Sequence, residues 1–253
     1  MTTPHPQPRP RQIRARWRRA RLWIVSISLG LIAFVAGTAG TAWWLIGSEP
    51  PWWTALPPTG PGAAAVGQDL ENAVVNHLHA TRPAGETWSV SISASDANDW
   101  LASRLVKWLA SREPSIDWST LHRSVVDFRD GRIFIGAKFL PSSGGDGVVV
   151  WGVVIPGIDD QGRLWLRADG VNLGRLPLPM RAFTASPRGL AMRAIPGGIG
   201  RTAPARDAAE MLDGKRPLAS TPILTLADRR KVRLIGIAAR EGRLELTCQT
   251  QIP

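Results

Sequence analysis

Residues able to do chemistry are sparse in this chain, and their spacing does not bring them together. The four histidines stand at positions 5, 77, 79 and 122. His77 and His79 are two apart on a stretch that reads as helix, so they share no face, and no HExxH-type ligand spacing occurs. Cys248 is the only cysteine, which excludes an intrachain disulfide and any zinc site needing two cysteines. It lies on the apolar side of an alternating segment, as a buried structural thiol does. The stretch Pro196-Gly-Gly-Ile-Gly-Arg-Thr202 lacks the lysine of a phosphate loop and its strand–loop–helix setting, so it reads as a plain loop. No G-x-S-x-G elbow occurs, and Ser142-Ser143-Gly144-Gly145 falls in a polar loop. The pairs Asp159-Asp160 and Asp127/Asp130 sit where turns are expected, since Asp favours turns through its own backbone hydrogen bonds. The sequence therefore nominates no catalytic residue, no cofactor and no metal site.

The charge distribution says more. The chain carries 31 Lys+Arg against 20 Asp+Glu, a net +11. Seven arginines and no acid fall in residues 1–46, leaving only +4 for residues 47–253. Nucleic acid is therefore not the expected partner, because the excess marks a short tail rather than a basic face. Residues 1–21 read as a basic cytoplasmic tail. Residues 22–46 form an apolar run without a charged side chain, about 37 Å long as a helix, enough for a ~30 Å hydrocarbon layer with some tilt. Trp23 at one end and Trp43-Trp44 at the other match interfacial belts, and Arg18, Arg19 and Arg21 flank the inner side. No Lys or Arg follows before Arg82, so the positive-inside rule gives a single-pass protein, N-in and C-out, at the cell membrane. Its outer domain would be periplasmic in a double-membrane bacterium. The alternative is a signal peptide cleaved after Ala39; the apolar stretch continuing through Trp43, Trp44 and Ile46 favours a retained anchor. Ala33, Gly37 and Gly40 offer a face for weak dimerisation.

Beyond the anchor, residues 47–66 are rich in Pro, Gly and Ala and read as a linker, with Trp52-Trp53 at the membrane surface. Residues 67–253 read as one extracytoplasmic domain. Gln68–Ala80 is a helix candidate. Trp88, Val90, Ile92 and Ala94 alternate as a half-buried strand. A helix follows with Ser95 as its N-cap, an apolar stripe of Ala97, Leu101, Leu105, Trp108 and Leu109, and a stop at Pro114. Strands over Leu121–Arg129 and Arg132–Leu140 flank Asp130-Gly131, a type I′ hairpin signal. Val148–Ile155 is apolar throughout, as a strand covered on both faces. Gly162–Leu173 changes parity, which implies a bulge near Gly170. At Gly174 the chain is expected to leave the sheet. Ala203–Leu212 reads as a helix stopped by Gly214, and Lys231–Ala239 with Arg243–Gln251 as a closing hairpin. The fold expected is α+β: an N-terminal transmembrane helix, then a curved antiparallel meander sheet with helices packed on one face.

Two short stretches resemble the YpmS-type bacterial single-pass membrane proteins. One is the strand-to-helix run from Ser91 to Leu101, containing Asn98, Trp100 and Leu101. The other is the G-x-L-P-L-P element with Gly174, Leu176, Pro177 and Pro179. The resemblance implies one membrane helix and an extracytoplasmic domain; that family has no assigned reaction. Three functions then compete: a membrane-tethered, non-enzymatic module binding an apolar ligand such as lipid, or a partner protein, in the envelope; a structural or assembly component of an envelope complex; and an envelope enzyme. The apolar run Val148–Ile155 with Trp151 motivates the first.

Overall fold

The computed structural model describes residues 10–56, 60, 62–114, 116–141, 144–179, 207, 210–226 and 228–251, and for 10–25 the backbone alone. The chain forms two units, Met1–Leu45 and Ile46–Pro253.

The first unit belongs to α1 (Pro10–Gly47). Its apolar residues Ile27, Leu31, Phe34 and Val35 are more than half exposed, as are Trp43 and Trp44. The hydroxyls of Thr38 and Thr41 donate to the carbonyls of Phe34 and Gly37 one turn back, which satisfies them without water. The stretch from Ser26 onward is long and apolar enough to cross a membrane, a test that an anchor and a signal sequence both pass. Arg18, Arg19, Arg21 and Trp23 lie in α1, with side chains outside the described set.

The second unit is α+β with two antiparallel sheets. A four-stranded sheet has the order β1 (Thr87–Ser93), β9 (Arg243–Thr250), β8 (Lys231–Arg240), β7 (Ile223–Thr225). A five-stranded meander runs β2 (Leu121–Arg129), β3 (Arg132–Phe139), β4 (Val148–Ile158), β5 (Leu164–Leu173), β6 (Leu176–Leu178). Asp130 and Gly131 at the β2–β3 turn, and Glu241 and Gly242 at the β8–β9 turn, all have positive φ. That is the type I′ geometry whose twist matches the flanking strands. The two hairpin tips interlock: Gly242 N–H donates to Phe128 O at 2.7 Å, and Gly131 N–H to Ala239 O at 2.9 Å. Ala239, fully buried, packs there with Val126, Phe128, Ile133 and Val154. The expected bulge is present. Val153 pairs with Gly170 and Val154 with Ala168, leaving Asp169 as the extra residue.

Several expectations are corrected. Residues 47–66 are not a free linker: Pro51–Ala55 form α2, and α3 (Ala63–His79) begins inside the range. Trp53, 1% exposed, sits against Val125 and Val149, and Trp52 stacks edge-on against Trp151 at 5.7 Å. Gly136 makes room for the pair, since a Cβ there would meet the Trp53 ring at 2.9 Å. Glu49 adds an ion pair to Lys138 at 2.7 Å, and its carbonyl accepts from Arg175 Nε at 3.0 Å. These tryptophans are core residues of the second unit rather than a surface belt.

The helix after β1 is capped by Ser93, whose Oγ accepts from Asp96 N, and not by Ser95, because the strand ends one residue earlier than the alternation suggests. It runs as α4 (Ala94–Trp100), a π-helical turn (Leu101–Leu105) and α5 (Val106–Arg112). β4 is not covered on both faces, since Ile155 is 41% exposed. Nor does the chain leave the sheet at Gly174: Gly174 and Arg175 form a turn, and β6 folds back along β5 as an edge strand with Pro177 opposite Asn172. Pro179 follows it directly. Residues 207 and 210–212 are helical, and the rest of Ala203–Leu212 lies outside the described residues, as do the 196–202 loop, Ser142 and Ser143.

Candidate apolar binding groove

Helix α3 is the element around which a site forms, and each of its ends is held by side chains from elsewhere. At its C-terminus the last carbonyls of a helix lack intrahelical donors. Arg230 supplies them to His79 O and Ala80 O at 2.8 and 2.9 Å, and Arg82 to His77 O at 2.6 Å. Arg82 also lies over the Trp88 ring at 3.9 Å. Along its N-terminal half, Glu71 accepts from Trp100 Nε1 at 2.8 Å and Gln68 accepts from Arg104. Gly67 allows the close approach, because a Cβ would lie 3.1 Å from Trp100 Cα.

The opposing wall is fixed by Asn98. Its amide donates to Val126 O at 2.9 Å and accepts from Val126 N–H at 2.7 Å. One side chain thus mimics a neighbouring strand and closes the edge of β2 where α4 crosses it. The next turn carries Trp100 and Leu101 toward α3.

Between these walls lies a groove of about 540 Å³. Leu70, Val74 and Val75 of α3 line one side and Ala97, Trp100 and Leu101 the other; Ile92, Val126 and Ile135 form the floor. Among the described residues Glu71 is the only charged one in the lining, and its Oε1 is already engaged by Trp100. Ile135 and Val75, about half exposed, mark the mouth. A space of this size falls within the ~300–1,000 Å³ typical of small-molecule sites. Among the described residues Glu71 stands in the lining without a second titratable group beside it. What it offers is apolar surface, worth roughly 25 cal/mol per Å² of contact removed from water.

The structure brings Asn98, Trp100 and Leu101 together at this groove and places Gly174, Leu176, Pro177 and Pro179 elsewhere, at the β5–β6 edge. There Gly174 O accepts from Trp151 Nε1 at 2.6 Å. Trp151 and Val149, which motivated an apolar-ligand reading, pack against Trp52 and Trp53. The groove residues of α3 carry one signal in the sequence: Leu70 and Val74, with Leu78 beyond them, recur every four residues. Among the described residues no group of three or more His, Cys, Asp or Glu could hold a metal. His77 is exposed, its Nε2 3.0 Å from Ser89 O. Asp159 organises the β4–β5 turn, accepting from Arg163 N–H, Arg163 Nε and Trp165 Nε1 at 2.9, 2.7 and 2.8 Å. Desolvation pushes its pKa up, but these hydrogen bonds and the Arg163 charge outweigh it and hold the carboxyl well below the usual range.

No family model matches the chain, and no curated protein matches it in sequence. Among solved structures the chain is similar to a lipopolysaccharide-binding protein at 12% identity and a TM-score of 0.27, over 76% of this chain and 49% of that one. The chain thus spans about half that protein's length, and the TM-score lies below what a shared fold gives.

Proposed function

We propose that the second unit is a non-enzymatic module that holds an apolar ligand of the lipid class in the groove beside α3. In this reading α1 is a retained anchor, and the arginine-rich tail keeps the N-terminus on the cytoplasmic side of a cell membrane. The observation that carries the reading is the groove itself: about 540 Å³ of space between apolar walls, with one engaged carboxylate. A membrane protein meets lipid as its most abundant apolar partner. The likeness of Asn98, Trp100 and Leu101 to the YpmS-type motif fits this picture, because these residues build and fix one wall.

The test is photo-crosslinking in intact membranes. Cells expressing the full chain are fed a diazirine-bearing fatty acid, irradiated, and the protein digested. Adducts should concentrate on peptides containing Leu70–Val75, Trp100–Leu101 and Ile135. Adducts confined to α1, as simple bilayer contact gives, would count against a lipid site in the domain. Anchor retention is read by intact mass, a mature chain beginning at Gly40 being the contrary result.

A further inference from the structure

A second apolar compartment adjoins the groove. It holds about 360 Å³ between Val74 and Leu78 of α3, the inner face of the four-stranded sheet (Val90, Val232, Cys248) and the segment Thr221–Leu224. Val74 and Ile92 line both spaces, so the two share that pair of side chains as a common boundary. Among the described residues, the Thr221 hydroxyl is the one oxygen- or nitrogen-bearing side chain in the lining of the second compartment.

The shape and chemistry select the occupant. An α-helix about 10 Å across would fill 540 Å³ within little more than one turn. An extended peptide would bring backbone N–H and C=O groups to walls with almost no partners for them. A hydrocarbon chain brings none. We infer that the two compartments form one slot for a single long acyl chain, running from the Ile135 side past the Val74–Ile92 contact to end against Cys248. This rests on the apolar-ligand reading above and specifies the class of ligand.

Cys248 reports on the far end. It is the only thiol in the chain, 7% exposed, and part of the second compartment's wall. The full chain is held in amphipol after delipidation, and the rate of N-ethylmaleimide addition to Cys248 is measured with octanoate, dodecanoate or octadecanoate present. Octadecanoate should slow alkylation about tenfold at ten times its Kd, by excluding reagent from occupied protein. Octanoate, accommodated in the first compartment, should leave the rate unchanged. Leu78→Trp or Leu246→Trp, at residues that line the second compartment and not the first, should abolish protection by octadecanoate. In both variants a diazirine analogue of octanoate should still crosslink to the Ile135 peptide, which also shows that they fold. The comparison of chain lengths needs no variant. Equal protection by octanoate would mean two independent sites. Crosslinking of a long chain at Ile135 with Cys248 alkylation unchanged would mean the slot ends at Val74; either result overturns the single slot and leaves apolar binding standing. Absence of crosslinking by any chain overturns both.

Discussion

Asn98 shows how much one side chain can fix. It replaces two ladder hydrogen bonds at the edge of β2, so Asn98→Ala leaves both the N–H and the C=O of Val126 without their partner. Each unsatisfied backbone group costs roughly 1–3 kcal/mol, and equilibrium unfolding should show a loss of at least about 2 kcal/mol. Asn98→Asp retains the acceptor, loses the donor, and should not restore wild-type stability. Trp53 makes a sharper case against the reading of residues 52 and 53 as a membrane belt. Truncating a fully buried tryptophan costs about 3–5 kcal/mol, and Trp53→Ala should reach that range, whereas an interfacial residue would move the unfolding midpoint little. Sequence could not decide between these roles, because two tryptophans after an apolar helix suit either; what decides is Gly136, eighty-odd residues on, whose missing side chain admits the rings. Cys248 was legible, since strict alternation in β9 marks its inward face.

Among the elements, hairpins were the most readable. Asp130-Gly131 and Glu241-Gly242 announce their turns locally, and the change of apolar parity in β5 announces the Asp169 bulge. The meeting of the two hairpin tips was not readable, because backbone-to-backbone bonds leave no mark on residue type. The interruption of the post-β1 helix by a π-helical turn was missed for the same reason: its side chains keep helical propensity, and π turns occur mostly as short features at functional sites. Helix α3 depends on two arginines at its C-terminus. Arg230→Ala removes donors from His79 O and Ala80 O; amide hydrogen exchange should accelerate near residues 77–80 while the β4–β5 strands stay protected. The β4–β5 turn carries a pH signature. The Asp159 carboxyl has a pKa depressed by folding, so its contribution is fully present above the unfolded value of about 3.9 and is lost as pH falls through the folded value. The stability gap between wild type and Asp159→Asn should therefore be constant near neutrality and close below about pH 4. A gap that widens on acidification would contradict the sign.

At the scale of the molecule, the N-terminal helix and the α+β class followed from composition and periodicity. The groove did not, because its wall is assembled from α3, β1, α4, β2 and β3, which no local pattern brings together. Only the Leu70–Val74–Leu78 repeat hinted that α3 had an apolar face to cover. The same distance in sequence explains why attention fell on Val148–Ile155: the most apolar strand is the one whose faces are already occupied, with Val149 against the tryptophans and Val154 in the core at Ala239. An unfilled apolar face is marked by moderate, interrupted hydrophobicity, as in α3, rather than by the longest run. Whether this face holds lipid, as proposed, is read by native mass spectrometry of the full chain isolated from the expressing cells without added lipid. A species heavier than the polypeptide by one lipid is expected, lost in Ile135→Trp and Val126→Trp variants that narrow the groove. A bare polypeptide mass in the wild type, with the fold intact by circular dichroism, would contradict the proposal.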